Sequence, residues 1–381
     1  MTTADLFELP DTYLALQEEA RTLGASLAGL AGASENIDGF VPEIRAGLAA
    51  SGLAAVTVPA EFGGRYDQVD SLAATVVREA LAASSGHLDS MFAMQGIGSF
   101  AISAAGSADL KAEWLPRVGR LEAIAGLALT EPEIGSDLKA LSTTIEVDGD
   151  ELVVSGHKSF ITNAGEADFY CVLGREGEGY TLVLVPADRS GVVVTRPHGV
   201  MDHHVLGDVE FDAVRVPVGH RLGEPGAGFG HVLATLATFR VSVAGSSIGL
   251  AERALQEAVA HAKSREMFGT TLARLGGVPG SLAWAWTEIE MARSLTYRAA
   301  AAAARDPQGN LHLSSMAKIA STEMAGRVTD RCVQIMGRFG LVRGSTIERL
   351  YREARPMRIY EGSTEVILDS LSRQLLKGSS S

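Results

Sequence analysis

The spacing of apolar residues changes twice along the chain. Residues 1 to about 122 carry apolar side chains at helical spacing, for example over 69–81, which predicts helices. From about 123 to 225 short apolar runs separated by turn residues favour strands. The helical period then returns from about 226. The pattern therefore predicts an α+β fold with an N-terminal helical domain at 1–122, a β-domain at 123–225 and a C-terminal helical domain at 226–381.

Local signals sharpen this picture. The Asp-Gly-Asp tripeptide at 148–150 lies between two apolar runs, which is a hairpin signal. Helices are predicted over about 248–262 and 313–336, the second ending at Gly337. Because apolar residues cover several sides of both helices, we expect them to be buried in a bundle or at a subunit interface.

Composition excludes several classes of protein. The 381 residues are 46% hydrophobic and 21% charged, enough for a large buried core. A net charge of −13 argues against nucleic acid or an anionic membrane as the main partner. Cys171 and Cys332 form no disulfide framework or metal spacing, so we expect a reduced, cytoplasmic protein. We also expect no secretory signal and no membrane span.

Three short segments contain the candidate chemistry. The Thr-, Gly- and Ser-containing tract at 127–137 can offer N–H and hydroxyl donors to a phosphate or a heterocycle, or be a hydrogen-bonded turn. In the tract 156–165, Phe160 can lie on a flat cofactor with Thr162 at its edge, or end a strand. Glu361 precedes Gly362 in a turn-like segment. This arrangement can aim one carboxylate into a cavity, or be an ordinary helix end.

A metal site is not expected. His203 and His204 follow Asp202, but adjacent residues on a strand point to opposite faces and do not easily share one ion.

The tracts 127–137 and 156–165, in this order and spacing, resemble the acyl-CoA dehydrogenase family. Further blocks of the chain resemble that family in the same order: 58–64, 106–116, 265–269, 334–337 and 359–362. The resemblance covers nearly the whole chain. It implies an FAD enzyme with an N-terminal helical domain, a central β-domain and a C-terminal four-helix bundle.

The resemblance also implies which residues bind FAD. Thr130 and Thr162 would hydrogen-bond the isoalloxazine ring, Ser136 would reach the pyrophosphate, and Phe160 would cover one flavin face. Ser363 and Glu365 would lie near the adenosine. Four more positions match residues that usually hold the FAD of a neighbouring subunit, which implies a homodimer or homotetramer: Arg265, Phe268, Gln334 and Gly337.

The reaction of the family implies roles for the remaining candidate residues. Glu361 would take the α-proton of an acyl thioester while the β-hydrogen leaves as hydride to the flavin. Two preorganised donors, the backbone N–H of the base and a ribityl hydroxyl, would stabilise the enolate oxygen. Candidate substrate contacts are Gln95, Arg240, Tyr360 and Gly362. An electron-transfer flavoprotein is the expected electron acceptor.

Blocks near the substrate depart from the family pattern. Ala237 occupies a position where the family often has an aspartate, three residues before Arg240. The tract 198–204 lacks the usual Gly-x-Arg, and 275–280 lacks a common glutamine. One hypothesis is that the acyl group is attached to a carrier protein instead of CoA. A second is a relative that oxidises a hydroxy- or amino-acyl thioester in polyketide or peptide biosynthesis. A third is a non-catalytic flavin-binding scaffold subunit, against which Glu361 argues.

Overall fold

The computed structural model describes residues 9–30, 32, 39–196 and 199–377. The serine tail at 379–381, expected from composition to be flexible, and His198 of the altered tract lie outside the described residues. The helices are α1 (Asp11–Leu27), α2 (Pro42–Ser51), α3 (Ser71–Ala82), α4 (Gly86–Ala105), α5 (Ala108–Gly119), α6 (Gly228–Ser264), α7 (Val278–Ala303), α8 (Leu311–Met336), α9 (Thr346–Ala354) and α10 (Thr364–Lys377).

The strands are β1 (Ala125–Ala128), β2 (Thr144–Asp148), β3 (Glu151–Thr162), β4 (Phe169–Glu176), β5 (Gly179–Pro186), β6 (Val192–Thr195), β7 (Leu206–Pro217), β8 (Arg221–Leu222), β9 (Glu266–Met267) and β10 (Thr270–Thr271). Helices thus precede and follow a central sheet, and the predicted fold class is confirmed. The predicted hairpin joins β2 to β3, with Asp148 opposite Glu151 and Gly149 at φ +67°.

Contacts divide the chain into two compact units. The first comprises Met1–Gly32, Ser71–Asp89 and Arg240–Ser381, and the second comprises Ala33–Asp70 and Ser90–Phe239. This division follows contacts in space rather than chain order. The three domain boundaries expected from the sequence stay predictions.

The second unit is built around the sheet. Its strands lie in the order β6-β7-β3-β2-β4-β5-β8, and β1 pairs with β4. Alternate residues of β4 point to opposite faces. Phe169 packs with Leu115 of α5 and neighbouring apolar residues, whereas Tyr170 packs with Val209 of β7. Because both faces of β4 are buried, this strand has a continuous apolar run instead of a strict alternation.

The first unit has a helical core. Residues of α6, α7, α8 and α9 pack together, among them Ile248, Ile289, Val328 and Leu350. Among the described helices, α6 alone is long and apolar enough to cross a membrane, but 78% of its apolar window is buried inside the protein. Such burial is the mark of a core helix.

Helix α3 approaches α6 closely within the first unit. A Cβ added to Gly249 would lie 1.9 Å from the carbonyl oxygen of Glu79, and one added to Gly245 would lie 2.5 Å from that of Thr75. Since real Cβ atoms do not approach backbone oxygens this closely, the contact requires glycine at both positions. The tight packing brings α3, the start of α4 and α6 together in the first unit.

Candidate active site

The backbone around Glu361 has an unusual conformation. Between the short helical turn at Pro356–Arg358 and α10, Glu361 has φ +52° and Gly362 has φ +99°. A bulky residue at positive φ persists only where its surroundings hold it. Here two cations bind the two carbonyl groups: Arg240 Nε donates to the Glu361 oxygen at 3.1 Å, and Lys318 Nζ donates to the Gly362 oxygen at 2.6 Å.

Both cations are held by the helices that carry them. Arg240 of α6 also donates through Nη1 to Ser315 Oγ of α8 at 3.0 Å. Lys318 of α8 is fully buried, and burial lowers its pKa to about 8 despite the nearby Glu361 charge. Gly362 cannot be replaced easily. An added Cβ would lie 3.1 Å from Ile367 Cγ1 at a φ that side chains rarely adopt.

The carboxylate of Glu361 is poised to take up a proton. Its Oε2 atom is buried and has no hydrogen-bond partner in the part of the chain that the structure describes. Burial raises the pKa of Glu361, while the charges of Arg78, Arg240 and Lys318 act against that rise. A carboxylate of raised pKa is a stronger base than a solvated one. The geometry therefore suits proton transfer from a bound ligand.

The second unit carries the four candidate flavin residues predicted from the β-domain. Ser159 N donates to Thr130 O at 2.9 Å, which joins the loop after β1 to β3. The pairing of β3 with β7 shifts register between Lys158 and Ile161. At this irregularity Phe160 has φ +54° and is 51% exposed, as expected where a bulge redirects a side chain. Thr162 Oγ1 lies 3.2 Å from His204 Nε2, and Ser136 is exposed in the loop.

A buried ion pair supports this loop, and sequence reasoning missed it. Glu131 accepts four hydrogen bonds of 2.6–2.9 Å from the backbone and hydroxyl groups of Ser142 and Thr143. Its carboxylate also lies 3.0 Å from Lys158 Nζ, which donates to Leu129 O at 2.9 Å. No clear signal marked Lys158 in the sequence, because it lies within the polar run 155–159.

The pKa values of both partners are lowered, which favours the charged form of Glu131 but disfavours the charged form of Lys158. Burial alone would raise the pKa of Glu131, but the donors on Thr143 and Ser142 lower it to about 2. Burial lowers the pKa of Lys158 to about 8, although Glu131 opposes this shift. The difference follows from partner number, because Lys158 has two acceptors whereas Glu131 has five donors. The pair therefore fixes the tract that contains Thr130.

The remaining cofactor candidates lie in the first unit. Phe268 occupies the β9–β10 turn at φ +53° and is 90% exposed. Arg265 lies over the Phe339 ring at 5.6 Å from its centroid. Gly337 ends α8 at φ +58°. Gln334 is exposed on α8, and Ser363 and Glu365 lie at the start of α10. Their contacts with FAD or with a neighbouring subunit stay predictions.

Like Arg240 and Gly362, the candidate substrate contacts Gln95 and Tyr360 have partners within the protein. Gln95 is fully buried, and its amide donates to Val118 O and Ala123 O and accepts from Ala125 N. These bonds give Gln95 a structural role at the start of β1. Tyr360 packs against the helical core. Substrate contacts at both residues stay predictions.

The described part of the chain shows no evident site for metal or thiol chemistry. Within the described ranges, no group of three or more His, Cys, Asp or Glu side chains could hold a metal ion. Cys171 and Cys332 are free and buried. Burial raises the pKa of both thiols, which disfavours the reactive thiolate.

Comparison with known proteins agrees with this architecture. The N-terminal, middle and C-terminal domains of acyl-CoA dehydrogenase match residues 10–122, 126–214 and 226–376. A probable acyl-CoA dehydrogenase of Mycobacterium leprae is 31% identical over 382 residues, covering 98% of this chain and 97% of that protein.

Two solved structures are similar over nearly the whole chain. Butyryl-CoA dehydrogenase from Megasphaera elsdenii superposes with a TM-score of 0.92 at 28% identity, covering 97% of this chain and 99% of the other. FkbI, which serves biosynthesis of the methoxymalonyl extender unit of a polyketide immunosuppressant, has a TM-score of 0.84 at 30% identity, with coverage of 94% and 99%. The resemblance seen in the sequence is thereby confirmed, and the chain belongs to the acyl-CoA dehydrogenase family of flavin oxidoreductases that act on CH–CH donors.

Proposed function

We propose that this protein is an FAD-dependent dehydrogenase that forms an α,β double bond in an acyl thioester, with Glu361 as the base. One observation carries the proposal: Glu361 Oε2 is buried and has no hydrogen-bond partner among the described residues. A buried carboxylate oxygen normally has a donor. The lack of a donor to Glu361 Oε2, on a backbone held in an unusual conformation, is expected where a bound ligand supplies the proton.

The backbone beside this carboxylate supports the same assignment. The Glu361 N–H donates to no group in the described chain, whereas the carbonyls of Glu361 and Gly362 are both bound by cations. Two held carbonyls fix the orientation of the adjoining peptide planes. The N–H is thus available for the thioester oxygen, where a preorganised donor is worth about 3 kcal/mol of transition-state stabilisation.

The residues of the second unit fit a flavin. Phe160 presents an exposed ring from a β-bulge. Thr130 and Thr162 supply hydroxyl groups on the two chain segments joined beside it, and Ser136 adds an exposed hydroxyl. This set of one flat apolar surface and several donors suits a planar heterocycle with a phosphate-bearing tail. Bound FAD would supply the acceptor for the β-hydrogen, which leaves as hydride.

The acyl group is proposed to arrive on a carrier protein. Support comes from Ala237, in place of the aspartate often found in the family, and from similarity to FkbI over 94% of the chain. A second candidate function follows from the same similarity: oxidation of a hydroxy- or amino-acyl thioester in polyketide or peptide biosynthesis. Turnover of one acyl group on CoA and on a loaded carrier protein separates the carriers. Equal or faster turnover on CoA would contradict the carrier proposal.

Anaerobic flavin reduction tests the base. The purified protein should be yellow, and its flavin should bleach when an acyl thioester is added. Glu361→Gln should keep the colour and slow the bleaching by about 10²- to 10⁴-fold, because the proposed proton acceptor is removed. Asp369→Asn, which alters an exposed carboxylate paired with Arg373 on α10, should bleach normally.

Two results would contradict the proposal. Bleaching retained by Glu361→Gln would exclude this residue as the base. A colourless, flavin-free wild-type protein would contradict the enzyme assignment and favour a scaffold role.

A further inference from the structure

A buried ion pair lies in the first unit near the proposed base. Arg78 of α3 and Asp89 of α4 are each only 3% exposed. Nε and Nη2 of Arg78 donate to the two carboxylate oxygens of Asp89 at 2.9 and 2.8 Å. This bidentate geometry fixes the plane of the guanidinium group.

Two serines of α6 complete the cluster. Arg78 Nη1 donates to Ser242 Oγ at 3.0 Å, and Ser246 Oγ donates to Asp89 Oδ2 at 2.7 Å. Arg78 therefore uses three of the five N–H groups of a guanidinium. The other two have no hydrogen-bond partner in the ranges that the structure describes.

The cluster and Glu361 attach to the same turn of α6. Ser242 follows Arg240 by two residues, and Arg240 Nε holds the carbonyl of Glu361. The electrostatics agree with this placement: among the neighbouring charges, that of Arg78 acts most strongly against the raised pKa of Glu361, and that of Asp89 acts in the opposite direction.

Packing alone does not account for the pair. Removing two charges from water costs solvation free energy that their attraction often fails to recover. Buried pairs of this kind can be replaced by apolar side chains without loss of stability. The two α6 residues that contact the pair are serines, and the adjoining Ser247 is also buried. A buried pair with two unused N–H groups, close to the proposed base, is suited to a polar ligand.

We propose that Arg78 determines substrate specificity, by donating its remaining N–H groups to an oxygen on the acyl chain. This inference rests on the proposed function and adds the class of substrate: short acyl thioesters with a hydroxyl or carboxylate oxygen near the reacting carbons. Asp89 holds the guanidinium plane, and the two serines hold both partners. An unsubstituted hydrocarbon chain leaves the remaining N–H groups without an acceptor.

Binding to the Glu361→Gln protein tests this without turnover. The ligands are butyryl, 4-hydroxybutyryl and succinyl thioesters, which share four carbons and differ at the last one. Each is offered on CoA and on phosphopantetheine. Calorimetric titration should show at least one oxygenated ligand bound about 10- to 100-fold more tightly than butyryl, as expected for a hydrogen bond to a charged group. The tighter of the two oxygenated ligands identifies the substituent.

A double variant removes the cluster without leaving a lone buried charge. In the same background, Arg78→Met with Asp89→Leu should bind all three ligands within about threefold of one another. Arg78→Lys keeps the positive charge but loses the planar guanidinium with its paired donors. It should show a preference for the oxygenated ligand between those of the parent and the double variant. As a control, Arg221→Met with Glu176→Leu removes a partly buried pair between β8 and β4 and should keep the full preference.

The binding data distinguish a failure of the Arg78 proposal from a failure of the proposed function. A preference that survives the double variant, or tighter binding of butyryl by the parent, would overturn the role of Arg78. Binding of no thioester at all would overturn the proposed function as well.

Discussion

Lys318 Nζ donates to the carbonyl oxygen of Gly362 at 2.6 Å, and this bond joins α8 to the residue after the proposed base. Together with the bond from Arg240 to Glu361, it holds two successive carbonyls of the turn. A lysine that is fully buried and charged is costly, so its position beside the base indicates a positioning role in the reaction.

Replacing Lys318 by Met should lower the rate of flavin reduction about 10- to 100-fold, because losing a hydrogen bond from a charged donor costs about 1.5–3 kcal/mol. The protein should stay yellow. Stopped-flow measurement under anaerobic conditions checks both points.

The pH profile separates positioning from simple destabilisation. The pKa of Lys318 is about 8, so the ammonium loses its proton as pH rises through that value and its bond to Gly362 weakens. The wild-type rate should therefore fall above about pH 8, and the Lys318→Met profile should lack this fall. A variant that keeps both the wild-type rate and the alkaline fall would refute the role.

Glu361 should reduce the stability of the protein at neutral pH. Burial raises the pKa of Glu361 in the folded state above 4.5, its ordinary value in the unfolded chain. Between 4.5 and this raised pKa, the folded state binds more protons than the unfolded state. Stability then falls as pH rises through that window. Glu361→Gln should raise Tm at pH 7, and the gain should shrink toward pH 4.5. Calorimetry at several pH values checks the trend; a gain independent of pH would contradict it.

Glu131 should be required for a stable β-domain loop. Glu131→Gln leaves Lys158 without a charged partner and turns amide N–H groups toward existing donors, so we expect a loss of about 3 kcal/mol in the free energy of unfolding. Since the folded pKa is about 2, the wild-type carboxylate keeps its contribution until pH falls from about 4.5 toward 2. Urea titration measures the loss. Exposed Glu133→Gln should change stability by less than about 0.5 kcal/mol.

Features encoded in local sequence were predictable. The hairpin at 148–150, the helical period of α6 and the Glu361-Gly362 turn all follow from residue type and spacing. The Glu131–Lys158 and Arg78–Asp89 pairs could not be predicted in this way. Glu131 and Lys158 are separated by β2, whereas Arg78 and Asp89 lie on the consecutive helices α3 and α4. In both pairs each residue alone looks like an ordinary surface charge.

The same limit explains what was missed around the base. Glu361 can be identified from its motif, and Arg240 was a candidate substrate contact. The bonds that Arg240 and Lys318 donate to backbone carbonyls have no sequence signature. Gln95 is a second case. Its amide is bonded to three backbone groups, and these bonds have no signature in the sequence, while its substrate contact stays a prediction. Tertiary structure decides whether a polar group faces a ligand or the backbone.

Gly249 should tolerate no side chain. Its added Cβ would meet the Glu79 carbonyl oxygen at 1.9 Å, so α3 and α6 must separate in Gly249→Ala. We expect a loss of about 1–3 kcal/mol or more in unfolding free energy. Gly230→Ala, also on α6 but with nothing within 4 Å of the added Cβ, should be neutral or gain up to about 1 kcal/mol. Equal effects at both sites, measured by urea titration, would contradict the close packing.

Phe268 tests the proposed homo-oligomer. Its ring is 90% exposed at the tip of the β9–β10 turn, where the turn conformation with Phe268 and Gly269 at positive φ presents it outward. If a neighbouring subunit buries this ring, Phe268→Ala should weaken the free energy of subunit association by about 1.5–3 kcal/mol for each buried ring. The subunit dissociation constant should then rise at least about tenfold. Flavin should also be lost more readily on dilution. Sedimentation velocity over a concentration series measures the first effect and absorbance of the separated protein the second. Val147→Ala, at an exposed apolar position in β2, should leave both unchanged; a Phe268→Ala protein with wild-type assembly and flavin content would show that this ring lies outside the interface.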